Sequence, residues 1–231
     1  MKLQDAVIIV TGASRGIGKA LVAVLQKEGA TVIGCSRSGN DDTRIIDVSD
    51  PDAVSALVNS VIDEHGTVDV LINNAGVIHL YNALEKISLH DYSQCIDVNI
   101  GSVFYGMRAV LPHMKKGDKG VIINIGSMAA AVPHPNLSVY TATKCAVLGL
   151  TQTVAKELND EKSSVRCLSV SPGGTDTDMR RELLGEDSAK SQDPEIVARI
   201  VSDILTEKIA VENGMNVQVV RGEISAKVSM Q

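Results

Sequence analysis

The chain has 231 residues, a length at which an α/β sheet commonly forms one domain with a well-buried core. Its formal net charge is -6, and it has no Trp and one Phe. It therefore offers neither an attractive field for a phosphate backbone nor an aromatic platform for stacked bases, which argues against a nucleic-acid partner. No apolar run approaches the length that crosses a bilayer, so we expect a cytoplasmic protein without a membrane partner.

Apolar runs alternate with helical patterns along most of the chain. Continuous apolar runs that end in turns predict strands at 6–10, 31–35, 43–48, 68–74, 120–127, 165–172 and 216–220. Apolar residues at helical spacing predict helices at about 17–25, 51–64, 89–96, 100–114, 140–158 and 194–208. The alternation predicts an α/β fold: a single-domain, doubly wound parallel sheet, Rossmann-like, with helices on both faces. No helix is predicted between the second and third strands, and the last eleven residues are expected to be loosely held.

The four cysteines are widely scattered, with no C-x-x-C pair and no histidine at metal-ligand spacing. This pattern predicts reduced, mostly buried thiols and no metal site.

A glycine-rich loop, "TGASRGIG", joins the first predicted strand to the first helix. Gly12, Gly16 and Gly18 would let the backbone approach a pyrophosphate closely, and the helix N-terminus offers free N–H donors. The loop predicts a bound dinucleotide, and the alternative is a tight turn without a ligand.

Three more polar segments follow predicted strands. They are "NNAG" at 73–76, Ser127 after the fifth strand and "PGGTDTDM" at 172–179. Because ligands of such sheets lie beyond the carboxyl ends of the strands, we expect these segments to line one cleft. Taken singly, each could instead be an ordinary polar turn or capping residue.

Tyr140 and Lys144 are four positions apart in a predicted helix, so both lie on one face, one turn from each other. A nearby cation lowers a pKa by roughly 1–3 units, which would make the phenol usable as a general acid or base. Ser127 would donate a hydrogen bond to a carbonyl oxygen on which charge develops. The alternative is that Tyr140 and Lys144 are an ordinary pair of surface residues.

Together with Asn99, these motifs in this order resemble the short-chain dehydrogenase/reductase family from about Val7 to Met179. The resemblance implies a nicotinamide cofactor along the strand ends and a catalytic set of Asn99, Ser127, Tyr140 and Lys144. It also implies that Lys144 holds the ribose hydroxyls and that Asn99 connects Lys144 to solvent through a water. Residues 1–231 would then form a single dinucleotide-binding oxidoreductase domain.

The resemblance further implies that Asp47 and Val48 flank the adenine, that residues 74–76 lie beside the adenosine ribose and that Thr177 contacts the carboxamide. Motifs and resemblance together assign the following residues to cofactor binding: Gly12, Ser14, Arg15, Gly16, Ile17, Gly18, Ser36, Arg37, Asp47, Val48, Asn74, Ala75, Gly76, Tyr140, Lys144, Pro172, Gly173, Thr175 and Thr177.

The end of the second strand, Cys35-Ser36-Arg37, carries no carboxylate for the free hydroxyls of an NAD(H) ribose. Arg37 and Arg15 could instead hold a 2′-phosphate, which predicts NADP(H) as the cofactor. The alternative is that both arginines are solvated or paired with Asp41 and Asp42.

A polar segment at about 174–191 has the length of a substrate lid. It contains Met179, Leu183 and Leu184 as apolar contacts, and Arg180 and Arg181 as candidate anion contacts. The expected partner is a small-molecule ketone or secondary alcohol, whose identity stays open. Because the arginines could bind an anionic group, a second interpretation of the function stays open: the reduction of 3-oxoacyl thioesters on a carrier protein. A non-catalytic dinucleotide-binding sensor is the alternative from another class.

The family resemblance also implies a homodimer or homotetramer, in which the helices at 100–114 and 140–158 pair across a two-fold axis. Their apolar residues Val103, Met107, Val147 and Leu150 could serve such an interface or the core of the monomer. The C-terminal tail lacks the glycine-rich ending of many tetrameric members.

Overall fold

The computed structural model describes residues 1–39, 43–184 and 191–228, which contain eight strands and seven α-helices. The strands are β1 (Val7–Thr11), β2 (Thr31–Ser36), β3 (Thr43–Ile45), β4 (Val70–Asn73), β5 (Val121–Ile125), β6 (Arg166–Pro172), β7 (Asn216–Val220) and β8 (Glu223–Val228). The helices are α1 (Gly16–Lys27), α2 (Pro51–His65), α3 (Leu89–Cys95), α4 (Ser102–Gly117), α5 (Ser138–Asp160), α6 (Asp178–Leu184) and α7 (Pro194–Leu205).

The strands form one sheet in the order β3-β2-β1-β4-β5-β6-β7-β8. Every neighbouring pair is parallel except β7 and β8, which are antiparallel. The order reverses between β1 and β4, and the crevice of a doubly wound sheet opens at such a reversal. The predicted α/β fold class is therefore confirmed, with one antiparallel strand added at an edge.

Helices cover both faces of the sheet because its central strands are apolar on both sides; all five residues of β1 are buried. On one face α1 and α7 pack through residues such as Leu21, Leu25 and Val201. On the other face α2, α4 and α5 pack through residues such as Leu57 and Val110. No described helix has the length and apolarity needed to cross a membrane.

The C-terminal expectation was wrong for residues 223–228, which form β8 instead of a loosely held tail. Arg221 and Gly222 have φ angles of 53° and 84°, the left-handed pair that a two-residue hairpin turn requires. The turn returns the chain alongside β7, and Ile224 and Ala226 are half-buried while their neighbours are exposed. Residues 229–231 lie outside the described part of the chain.

Two other connections bear on the predictions. Residues 37–39, the described start of the connection between β2 and β3, contain no helix, as predicted; Asp41 and Asp42 lie outside the described residues. The polar segment after β6 is more regular than predicted, because residues 178–184 form α6.

The apolar residues considered for a dimer interface lie mostly in the core of the monomer. Val103, Met107 and Val147 have at most 2% of their surface exposed, and Leu150 is half-buried against the same cluster. These three side chains therefore cannot form an interface between copies of the chain. Phe104, the neighbour of Val103 on α4, is exposed.

A buried polar chain ties the two central strands to α5. The Nδ2 of Asn73 donates to the Oδ1 of Asn124 over 2.8 Å, and the Nδ2 of Asn124 donates to the Oγ1 of Thr151 over 2.9 Å. All three residues are buried. The chain of hydrogen bonds fixes α5, which carries Tyr140 and Lys144, against the ends of β4 and β5.

We expect Asn124→Ala to lower the free energy of unfolding by about 1–3 kcal/mol, because it leaves the Nδ2 of Asn73 buried without a partner and removes one hydrogen bond from Thr151, whose hydroxyl still donates to Val147. Chemical denaturation measures the loss. Ser225→Ala on the exposed edge strand β8 is the control and should change stability by less than about 0.5 kcal/mol. Equal stability of the two variants would contradict this role of Asn124.

Candidate active site

A cavity of about 950 Å³ opens at the carboxyl ends of the parallel strands. The four predicted motifs meet there, each at the end of its own strand. Of the predicted site residues, these line it: Gly12, Ser14, Arg15, Gly16, Ile17, Gly18, Ser36, Arg37, Val48, Asn74, Ala75, Gly76, Ser127, Tyr140, Lys144, Pro172, Gly173, Thr175 and Thr177. Asp47 and Asn99 do not line it.

The glycine loop packs backbone against backbone beneath the cavity. Gly12 has a φ of +66°, and a Cβ there would lie 2.8 Å from the Cα of Ala75. A Cβ on Gly18 would lie 2.1 Å from the carbonyl oxygen of Gly12. Asn74 holds this contact, since its Nδ2 donates to the carbonyl oxygens of Thr11 and Gly12 over 2.8 and 3.1 Å.

The start of α1 has the properties of an anion site. Its N-cap residue is Arg15, whose side chain accepts no hydrogen bond from the first turn. The residues that carry the first helical N–H groups, Gly16, Ile17 and Gly18, line the cavity. Unpaired N–H groups and the helix dipole together stabilise a phosphate group at this position.

Asn99 lies in a π-helical turn, Ile96–Gly101, and is fully buried. Its Oδ1 accepts from the amide of Val77 over 2.8 Å, and its Nδ2 donates to the Val77 carbonyl over 2.9 Å and to the Oγ1 of Thr143 over 3.0 Å. The side chain thus joins the loop after β4 to α5. The carboxylate of Asp47 accepts instead from the amide and hydroxyl of Ser49, which lowers the pKa of Asp47.

Ser127, Tyr140 and Lys144 all line the cavity, and the side chains of Ser127 and Tyr140 are hydrogen-bonded. Lys144 has 5% of its surface exposed, its Nζ donates to the carbonyl oxygen of Ile125 over 3.0 Å, and this Nζ is 5.8 Å from the centre of the Tyr140 ring. Ser127 starts a 3₁₀ turn, and its Oγ accepts from the amide of Ala129 over 3.1 Å.

The sequence predicted the wrong direction for the pKa of Tyr140. Burial raises this pKa, and a hydrogen bond with Ser127 opposes the rise. Burial also lowers the pKa of Lys144 to about 8. A low-polarity environment disfavours both the phenolate and the ammonium, so in this structure Tyr140 keeps its proton.

The two arginines predicted to hold a 2′-phosphate have different surroundings. Arg15 pairs with Glu182 of α6, whose Oε1 is 3.2 Å from the Nη1 of Arg15, and both side chains are exposed. Arg37 is exposed and forms no salt bridge with another described residue, but its charge contributes to lowering the pKa of Asp47. The partners expected from the sequence, Asp41 and Asp42, lie outside those residues, and Glu182 was not foreseen.

The two arginines of the predicted lid are also separated. Arg180 lines the cavity, and its Nε donates to the Oγ of Ser191 over 2.6 Å. Arg181 instead lies 3.4 Å from Asp176 and 3.7 Å from Asp178, in exposed ion pairs. Of these two lid arginines, Arg180 is therefore the one placed to contact a ligand in the cavity.

The cavity wall includes residues that the sequence interpretation missed. They follow β4 and β5 in the chain: Ile78, Tyr81, Met128, Ala129, His134 and Leu137. Met179 and Leu183 of α6 line the same cavity, as predicted, whereas the side chain of Leu184 and residues 185–190 lie outside the described structure. The rule that ligands lie beyond strand ends could have found the missed loop residues as well.

Comparison with known proteins assigns the family. The model of the short chain dehydrogenase family matches residues 6–187. The chain belongs to the short-chain dehydrogenase family. The resemblance in its motifs is thus confirmed, and the protein is an oxidoreductase of this family.

Individual relatives of this dehydrogenase are similar over most of its length. A 3-oxoacyl-[acyl-carrier-protein] reductase of Vibrio cholerae is 36% identical, over 80% of this chain and 80% of its own. The crystal structure of a 3-ketoacyl-(acyl-carrier-protein) reductase from Brucella melitensis complexed with NADH has a TM-score of 0.87 and 25% identity, covering 95% of this chain and 98% of that one. The structure of ElxO with NADP bound has a TM-score of 0.85 and 25% identity, with 95% and 98% coverage.

We expect the pKa of the dehydrogenase's Lys144 in the ligand-free protein to be about 8, below its ordinary value of 10.5. Between these values the unfolded chain binds more protons than the folded one, so stability relative to Lys144→Met should rise as the pH increases from 8 to 10.5. NMR titration of ¹³C-labelled lysine side chains measures the pKa, and thermal melts measure the stability. A normal pKa with a pH-independent stability difference would contradict the burial of the ammonium.

Proposed function

We propose that this dehydrogenase transfers a hydride between NADP(H) and a small-molecule ketone or secondary alcohol, with Tyr140 as the general acid and base. The observation that carries the proposal is that Ser127, Tyr140 and Lys144 share one cavity with the glycine loop. Their meeting also argues against a non-catalytic sensor, which has no need of a proton donor beside its nucleotide site.

The residues present fit a nicotinamide dinucleotide. The glycine loop packs closely on its neighbours, because a Cβ on Gly12 or Gly18 would clash with the backbone of Ala75 or Gly12, and the uncapped start of α1 supplies N–H donors. When bound, the nicotinamide supplies or accepts the hydride. Gly12, Gly16 and Gly18 would hold the pyrophosphate, and Asn74, Ala75 and Gly76 would lie along the adenosine side.

The protein's own residues supply the proton and hold the substrate oxygen. Tyr140 keeps its proton because burial raises its pKa, so it can protonate a carbonyl oxygen that gains negative charge. Ser127 would donate a hydrogen bond to the same oxygen. Lys144 uses one of its three donors on Ile125, which leaves two for ribose hydroxyls. A tyrosine that holds its proton supports the reduction of a carbonyl group more readily than alcohol oxidation.

The preference for NADP(H) rests on charge at the end of β2. Ser36 and Arg37 line the cavity there, and Arg15 approaches from the glycine loop. The exposed Arg15–Glu182 pair contributes little stability, so a phosphate that forms charge-assisted hydrogen bonds can replace the carboxylate. The similar structures from Brucella melitensis and of ElxO hold NADH and NADP respectively, so the preference for NADP(H) rests on Ser36, Arg37 and Arg15 of this chain.

We propose that residues 174–191 form the substrate lid. Within the described part of this segment, Met179, Arg180 and Leu183 face the cavity. A second candidate substrate class, 3-oxoacyl thioesters, is supported by the relative from Vibrio cholerae and by the position of Arg180. A spectrophotometric panel of neutral ketones and 3-oxoacyl pantetheine thioesters, with NADPH as the reductant, tests both classes. The absence of NADPH oxidation with every compound would contradict the proposed function.

We predict that Tyr140→Phe lowers kcat by a factor of about 100 or more and leaves the dissociation constant of NADPH unchanged, because only the proton donor is lost. Lys144→Met should impair both quantities. Steady-state kinetics and NADPH fluorescence titration measure them. Tyr92→Phe makes the same chemical change at an exposed site on α3 and is the matched control. Near-normal turnover of Tyr140→Phe would contradict the assignment of Tyr140 as the general acid.

We predict that kcat/KM with NADPH exceeds that with NADH by about tenfold or more, since one charge-assisted contact to the 2′-phosphate contributes about 1.5–3 kcal/mol. Arg37→Asp should narrow or reverse this ratio by repelling the phosphate. Arg199→Asp, on an exposed position of α7, makes the same charge change away from the cavity. Equal efficiencies of the unmodified enzyme with both cofactors, at matched ionic strength, would refute NADP selectivity.

A further inference from the structure

His79 is a buried side chain to which the proposed chemistry assigns no role. It lies in the loop after β4, and only 3% of its surface is exposed. Its Nδ1 is 2.7 Å from the carbonyl oxygen of Leu80. A carbonyl oxygen can only accept, so Nδ1 carries the proton, and in the neutral ring Nε2 is left as an acceptor.

That acceptor faces the start of α5. The N-cap residue of this helix is Leu137, which has no side-chain oxygen to cap the first turn. An N-cap oxygen normally accepts from the amide of the second or third helical residue. The third residue of α5 is Tyr140, and its amide nitrogen is 3.4 Å from the Nε2 of His79. His79 therefore supplies from another segment the cap that Leu137 lacks.

The backbone of Tyr140 is held at its carbonyl group as well. The Oγ1 of Thr143 donates to the Tyr140 carbonyl oxygen over 2.7 Å and accepts from the Nδ2 of Asn99 over 3.0 Å. Asn99 in turn bonds both backbone groups of Val77, two residues before His79. One short loop thus holds both polar backbone groups of Tyr140, one directly and one through two side chains.

We propose that His79 is a positioning residue, whose Nε2 caps α5 and fixes the backbone of Tyr140 relative to Ser127. The cap itself stands on the geometry, whereas its effect on turnover rests on the function proposed above. A misplacement of about 1 Å of a reacting group can reduce a rate by a factor of about 100, so a partial loosening of this turn should be visible in kcat.

Two amide variants separate the two nitrogens of the ring. The side-chain amide of His79→Gln reaches the position of Nε2, and its oxygen can accept from Tyr140. The side-chain amide of His79→Asn reaches only the position of Nδ1, so it can still donate to Leu80 but cannot cap α5. The variants are otherwise matched in polarity, and thermal melts check that both are folded.

Amide hydrogen exchange by NMR tests the cap without substrate. In the unmodified protein, the Tyr140 amide should exchange at least tenfold more slowly than that of Ser138, for which the described residues provide no acceptor. His79→Asn should remove this protection and His79→Gln should keep it. Equal exchange rates for Tyr140 and Ser138 in the unmodified protein would overturn the cap, even if a variant fails to fold.

Kinetics test the positioning. We expect His79→Asn to lower kcat about tenfold with an unchanged dissociation constant for NADPH, and His79→Gln to stay within about threefold of the unmodified enzyme. The same kcat for both variants, despite different exchange rates, would overturn the positioning role. If the unmodified enzyme reduces no carbonyl compound, the proposed function is wrong. The amide exchange rates then still test whether His79 caps α5.

Discussion

The burial of one ammonium group, that of Lys144, governs the chemistry of the cavity. A charged amine removed from water must be stabilised by nearby acceptors, and the described structure supplies the carbonyl oxygen of Ile125. This single hydrogen bond does not offset the loss of hydration, so the pKa of the amine falls to about 8. The same environment raises the pKa of Tyr140. A ligand whose hydroxyl groups form hydrogen bonds with Lys144 would therefore change the balance between the charged and neutral forms of Lys144, next to the phenol of Tyr140.

The shape of the cavity depends on glycines, which have no side chains, as much as on the side chains that line it. Gly12 and Gly18 allow the first loop to touch the segment after β4, and Asn74 locks the two together. The chain of Asn73, Asn124 and Thr151 below them holds α5 in place. Rigid strand ends thus carry the loops, and the reactive side chains project from elements that cannot move independently.

Much of this arrangement could be predicted from the sequence, because it follows from local patterns. Apolar runs located the strands of the parallel sheet, and the rule that ligands lie beyond strand ends placed Ser127 at the cleft. The family resemblance added Tyr140 and Lys144, which line the same cavity. Strand β8 was missed because its alternation is weak, with only Ile224 and Ala226 half-buried. The turn gave no stronger signal, because Arg221-Gly222 lacks the Asn or Asp that usually precedes Gly in a two-residue hairpin turn.

Properties that depend on contacts between residues far apart in the chain could not be predicted from the sequence. Spacing along a helix shows that Lys144 is near Tyr140, but not that Lys144 is buried and Tyr140 half-buried, and burial raises the pKa of Tyr140 where the sequence predicted a fall. The partner of Arg15 is Glu182, 167 positions away in the chain. The bond from Tyr140 to His79 likewise joins segments 61 positions apart. No local pattern reports such pairs.

The two edges of the sheet also determine how the molecule behaves toward its own copies. An open strand edge is a template on which another chain can add a strand, the first step toward fibrous aggregates. Here β3 is only three residues long, and β8 carries the charged residues Glu223 and Lys227. A short edge offers few backbone groups, and charged side chains on an edge must lose hydration when another strand pairs with it. Ile45, the last residue of β3, is exposed, but the strand that carries it is too short to start such pairing.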